Sequence, residues 1–110
     1  MDILFACEDL QRLCHDDAIA LRAFKPAVVR RLRARLDDLT AAASLSYAAQ
    51  LPGRFHPLLP DRPGHFGILL GEGFRLVITS AGKSTVRRTE SLNLNKVIAI
   101  TVVAIEEIHA

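Results

Sequence analysis

The spacing of apolar residues changes near residue 52. Before that point they recur every three or four positions. Leu10, Cys14, Ala18 and Leu21 follow this spacing, as do Val28, Leu32, Leu36 and Leu39. Both sets predict amphipathic helices, the second with arginines on its remaining faces. "DILFA" (2–6) precedes them and reads as a short strand. The first helix is expected to break at His15-Asp16-Asp17, where an aspartate suits the cap of a second piece. Pro26 fits the first turn of the next helix, where its missing N–H costs nothing. "AAASLSYAAQ" (41–50) trails out of that helix, and Pro52-Gly53 ends the helical region.

Beyond residue 52 the apolar residues come in short runs. "RFHPL" (54–58), "HFGILL" (65–70) and "FRLVIT" (74–79) read as strands. Gly71-Glu72-Gly73 predicts a hairpin between the last two. "SAGKSTVRRTESLNLNK" (80–96) is polar without periodicity and is expected to be a long exposed loop. "VIAITVVAI" (97–105) is a nearly unbroken β-branched run, which predicts a strand buried on both faces. Strand, helices, then antiparallel sheet is an α+β order. No repeat or internal boundary divides residues 1–110, so one domain is expected.

Composition adds limits. Half of the residues are hydrophobic, enough for a core and too many for a disordered chain. No apolar run approaches the roughly 20 residues of a membrane span. The start "MDILFACEDLQ" lacks the basic run of a secretory signal. Cys7 and Cys14 cannot build a disulfide framework, and a reducing cytoplasm is the expected location. Lacking CxxC or HxxxH spacing, the two cysteines are read as small buried apolar residues, and no metal or other cofactor is expected.

The net charge is +2, but the charges are segregated. Residues 22–35 hold Arg22, Lys25, Arg30, Arg31, Arg33 and Arg35 with no acid. Residues 54–88 hold six bases against Asp61 and Glu72. Such segregation builds a positive face suited to an anionic partner, nucleic acid or acidic protein. The helix arginines have a plainer reading as a solvated face with Arg33–Asp37 and Arg35–Asp38 pairs.

Several side chains carry candidate chemistry. Arg75 stands in an apolar hairpin on the face opposite Phe74, Leu76 and Ile78. It serves either a surface ion pair or a phosphate, which its planar fork suits. His56, between Phe55 and Pro57, is either a structural histidine with a backbone partner or an acid–base group. Glu106, Glu107 and His109 close the chain, and each alone reads as solvated. If the strand at 54–58, the hairpin arginine and the end of the last strand share one sheet face, they bring a base, an acid and a cation together. RNA cleavage by attack of the 2′-hydroxyl needs that set and no metal.

"RLRARLDDLTAAASL", then "LPGRFHPL…DRPGHFGILLGEGFRLVI", then a closing strand with acid-x-His, resembles the HigB-type killer proteins. These are toxins of type II toxin–antitoxin systems within the RelE/ParE superfamily. The resemblance covers residues 18–109, and the long 80–96 insert is similar to that of the plasmid maintenance system killer subgroup. It implies a compact RelE-like fold, with helices packed on a twisted, mainly antiparallel sheet. It also implies a ribosome-dependent mRNA endoribonuclease, and a HigA-like antitoxin with a helix-turn-helix domain. By position it assigns His56, Arg75, Glu107 and His109 to the active site. Arg54, Arg62, Lys83, Arg87 and Arg88 become candidate contacts to RNA or ribosome. Two positions depart from the family: Leu59 replaces a lysine after His-Pro-Leu, and Ile108 replaces the tyrosine of the closing motif. They keep a second class of function open, a non-catalytic or decayed toxin that binds gyrase, as ParE-like relatives do, or only its antitoxin.

Overall fold

The computed structural model describes residues 1–81 and 94–108. Strand β1 (Asp2–Phe5) leads into helix α1 (Glu8–His15). The expected break follows: Asp16 is extended, and its carboxylate accepts hydrogen bonds from the Ala18 and Ile19 N–H groups at 2.9 and 3.3 Å. These satisfy donors that the first turn of α2 (Asp17–Ala23) would otherwise leave open. Helix α3 (Pro26–Ala41) begins at its proline and buries Val28, Val29, Leu32, Leu36 and Leu39. The segment after it does not simply trail away. It re-forms as a short helix, α4 (Leu45–Ala48), because Leu45 is fully buried and its N–H donates to Val97 O at 2.9 Å.

The remaining strands are β2 (His56–Leu58), β3 (Arg62–Gly71), β4 (Phe74–Ser80) and β5 (Ala99–Glu107). They form one five-stranded sheet in the order β1-β5-β4-β3-β2. β1 runs parallel to β5, and every other pair is antiparallel. The β3–β4 hairpin turns on Gly71-Glu72-Gly73, all at positive φ. Arg31 of α3 lies over this turn, so close that a β-carbon on Gly71 would meet its Nη1 at 2.0 Å.

Phe66, Ile68 and Leu70 of β3, Leu76 and Ile78 of β4, and Ile100 and Val102 of β5 join the buried side chains of α3 and α4 in one core. The expectation that the last strand is buried on both faces is therefore corrected. Ile100 and Val102 face the helices and are buried, whereas Thr101, Val103 and Ala104 are only half-buried. Among the described residues the helices cover one face of the sheet; on the other face Val77 and Gly67 are buried, and Leu69, Arg75, Ala104 and Glu106 are partly exposed. The expected 80–96 loop is also shorter than read. Ser80 ends β4, Ala81 is buried, and Leu94–Lys96 form a single 3₁₀ turn leading into buried Val97. The rest of that stretch lies outside the described residues.

Candidate functional site

Residues directly opposite one another in a ladder point to the same face. One row across the sheet is therefore His56, Gly67, Val77 and Ala104, and the next is Leu69, Arg75 and Glu106. Both rows lie on the face away from the helices. His56 and Arg75 sit two strands and one row apart, about 12 Å between Cα atoms from ideal sheet spacings. The His56 ring lies over Gly67, where a β-carbon would be 2.8 Å from its Nε2. Its Nδ1 is 2.7 Å from Arg54 O. A carbonyl only accepts, so Nδ1 holds the proton, and in the neutral ring Nε2 is left as an acceptor. Arg54 itself is exposed, at φ 52° in the Pro52–Arg54 turn.

Arg75 does not stand alone on this face. Its Nε donates to Glu106 Oε1 at 3.0 Å, and Arg62 Nη2 donates to the same oxygen at 2.6 Å. Arg62 belongs to the start of β3 and reaches a residue 44 positions away. Burial pushes the Glu106 carboxyl up, but hydrogen bonds and charge from Arg62 and Arg75 outweigh it and hold the group below its ordinary range. The face thus carries an acceptor imidazole on β2 and, one row along, two cations that share one carboxylate.

The acid beside Arg75 is Glu106, and Glu107 stands elsewhere. Glu107 pairs with Phe74 and falls on the other face, near the edge contact of Phe74 with Phe24. The cause is one extra residue in β5. Ile78 is opposite Val102, but Val77 is opposite Ala104, so Val103 has no direct partner. In an unbroken strand, 103, 105 and 107 would share the face away from the helices. The bulge moves that face to Ala104 and Glu106. Sequence reasoning missed Glu106 for this reason, since no local signal distinguishes two adjacent glutamates. His109, Lys83, Arg87 and Arg88 lie outside the described residues.

Half of the six bases at 22–35 are committed to holding the fold; Arg31 reaches Leu70 O at 3.4 Å. Arg33 pairs with Asp17 of α2 at 2.6 Å, not with Asp37 as expected, and also donates to Cys14 O. An acid presented by a packed neighbouring helix wins over one a turn along the same helix. Arg35 keeps its expected partner Asp38 at 3.3 Å and donates to Pro52 O at 2.6 Å. Gly53 is required there. At φ 117°, a β-carbon would meet Ile68 Cγ2 at 2.6 Å and Arg35 Cδ at 3.0 Å. Arg22, Lys25 and Arg30 remain exposed.

No protein-family model matches the chain, and no curated protein matches its sequence. Solved structures share its fold. A YoeB/ParE toxin from Agrobacterium tumefaciens aligns over all of both chains with TM-score 0.57 and 13% identity. The chain has the fold of that toxin. The YoeB dimer from Staphylococcus aureus aligns over all of this chain and 98% of its own, with TM-score 0.54 and 15% identity. The compact α+β arrangement expected from the sequence is therefore that of the YoeB/ParE toxins. No helix among the described residues is long and apolar enough to cross a membrane.

Proposed function

We propose that the chain is the toxin of a type II toxin–antitoxin pair, a HigB-like endoribonuclease that cuts mRNA on the ribosome. The observation that carries this reading is the placement of His56 and Arg75 on the same sheet face, the one away from the helices, of a toxin fold. His56 Nε2, left as an acceptor by the Arg54 carbonyl, takes the 2′-hydroxyl proton. Arg75, with Arg62 beside it, stabilises the charge that gathers on the phosphate during attack. His109 protonates the departing 5′-oxygen, the role left to it by the resemblance. Glu106 takes the carboxylate position beside Arg75, because Glu107 faces the other way. A HigA-like helix-turn-helix antitoxin neutralises the toxin in the cytoplasm, and Arg54 with Lys83, Arg87 and Arg88 contacts RNA or ribosome.

Translation of a defined message with and without the protein, followed by mapping of 5′ ends, tests the proposal. New ends that depend on translation are expected. Arg75→Ala should remove them more completely than Glu107→Ala. No new ends at any excess of protein would sink the nuclease reading.

One observation favours a second reading, a toxin-fold protein that acts by binding. Leu59 and Ile108 stand where relatives carry lysine and tyrosine, and they are 64% and 39% exposed. Exposed apolar groups at those positions suit a protein target better than a phosphate. Growth arrest that survives the His56→Ala/Arg75→Ala double substitution would favour it.

A further inference from the structure

We infer that Arg62 and Arg75 form a phosphate-binding cleft whose resident occupant in the free protein is the Glu106 carboxylate. That the phosphate belongs to RNA rests on the proposed function; the cleft itself does not. Two arginines from separate parts of the sheet converge on one oxygen, Glu106 Oε1, at 2.6 and 3.0 Å. Two positive charges against one negative leave the cluster a net cation. Among the described residues, its ion pairs engage Arg62 through Nη2 and Arg75 through Nε, leaving other N–H groups of both forks for a further acceptor. The cluster is not buried out of reach, since the side chains of Arg62, Arg75 and Glu106 are 37%, 21% and 30% exposed. A carboxylate held by two guanidiniums occupies the position a phosphate oxygen would take, and guanidinium forks suit both anions. Glu106 therefore keeps two flexible side chains pointed at the binding position while no ligand is bound. An arriving phosphate displaces it, and the released carboxylate, already partly exposed, turns to solvent.

This arrangement has a cost in affinity. The phosphate must compete with an internal anion, so removing the negative charge tightens binding. Glu106→Gln keeps the size and one acceptor oxygen. It is expected to bind inorganic pyrophosphate about fivefold or more tightly than wild type, the scale of one partly exposed ion pair. Adding Arg62→Ala to Glu106→Gln should cancel that gain. In the wild-type protein, the side-chain Nε–Hε signals of Arg62 and Arg75 should shift together and saturably with pyrophosphate. The signal of Arg33, paired with Asp17 and distant in the fold, should not. This wild-type measurement tests the cleft even if a variant fails to fold.

A single-stranded RNA methylated at every 2′-hydroxyl, which cannot be cleaved, provides the second arm. Glu106→Gln should bind it more tightly and with a steeper salt dependence, the logarithmic slope growing by roughly 0.7 for an added phosphate contact. Pyrophosphate binding as described without RNA binding supports the cleft and overturns the RNA reading. Equal affinities of wild type and Glu106→Gln for pyrophosphate overturn Glu106 as the occupant. Arginine signals that do not respond to pyrophosphate overturn the cleft.

Discussion

The imidazole of His56 lies directly over Gly67, in the space a side chain at that position would fill. The missing β-carbon lets a ring from edge strand β2 lean across β3. Gly67→Ala would set a methyl 2.8 Å from His56 Nε2 and 3.2 Å from Leu58 Cδ2. The ring is the freer of the two neighbours and should move, giving up its bond to Arg54 O. Denaturant unfolding should therefore show a loss of only about 1 kcal/mol, the lower end for an overpacked site. Translation-dependent cleavage should fall far more, on the order of 100-fold, because a positioned acid–base group is lost. Cleavage that falls no further than the stability loss explains would remove His56 from the proposed chemistry.

Glu106 links stability to pH. Its folded pKa lies below the ordinary value of 4.5, through the hydrogen bonds and charge of Arg62 and Arg75. A lowered carboxyl pKa means the folded state prefers the ionised form. The resulting stabilisation is fully present above about 4.5 and is lost as pH falls through the folded pKa. Wild type should exceed Glu106→Gln in stability near neutral pH, and the gap should close on acidification below 4.5. Denaturant titrations of both proteins across that range provide the check. A gap that widens in acid contradicts the assigned ion pairs.

The two cysteines should react very differently. Cys7 is exposed, while Cys14 is buried and its thiol is pushed up to about 11 by that burial, only partly offset by the Arg33 charge. Thiolate, not thiol, is the attacking form. A maleimide reagent at neutral pH should add one label to the folded protein, at Cys7. A second label should appear only on unfolding, and peptide mass mapping locates each.

Arg33 and Arg30 sit on the same helix but should differ in what they hold. Arg33 ties α3 to α2 through Asp17 and to the end of α1 through Cys14 O. Arg30 is exposed. Arg33→Ala should cost about 1 kcal/mol, the scale of a charged hydrogen bond with an exposed partner together with one to a backbone carbonyl. Arg30→Ala should stay within about 0.5 kcal/mol, as surface changes usually do. Melting curves of the two variants side by side test this, and equal losses would argue against the Arg33 tie.

The features legible in the chain were those whose causes lie within a turn or two of sequence. The stripe from Val28 to Leu39, the Asp16 cap, the Pro26 start and the Gly71-Glu72-Gly73 turn each follow from the spacing or backbone freedom of neighbouring residues. Together with the order of elements, they determined the α+β class, and strand alternation placed Arg75 on the face away from Leu76. Tertiary structure decided which charges meet. Arg33 finds Asp17 on another helix, and Arg62 crosses 44 positions to Glu106. The single unpaired residue at Val103 turns Glu106 rather than Glu107 toward Arg75. Strand parity is a two-state property, and one bulge anywhere in a ladder reverses every side chain beyond it. Where that residue is inserted depends on pairing with a strand more than 20 positions away, so no local pattern in the sequence can show it.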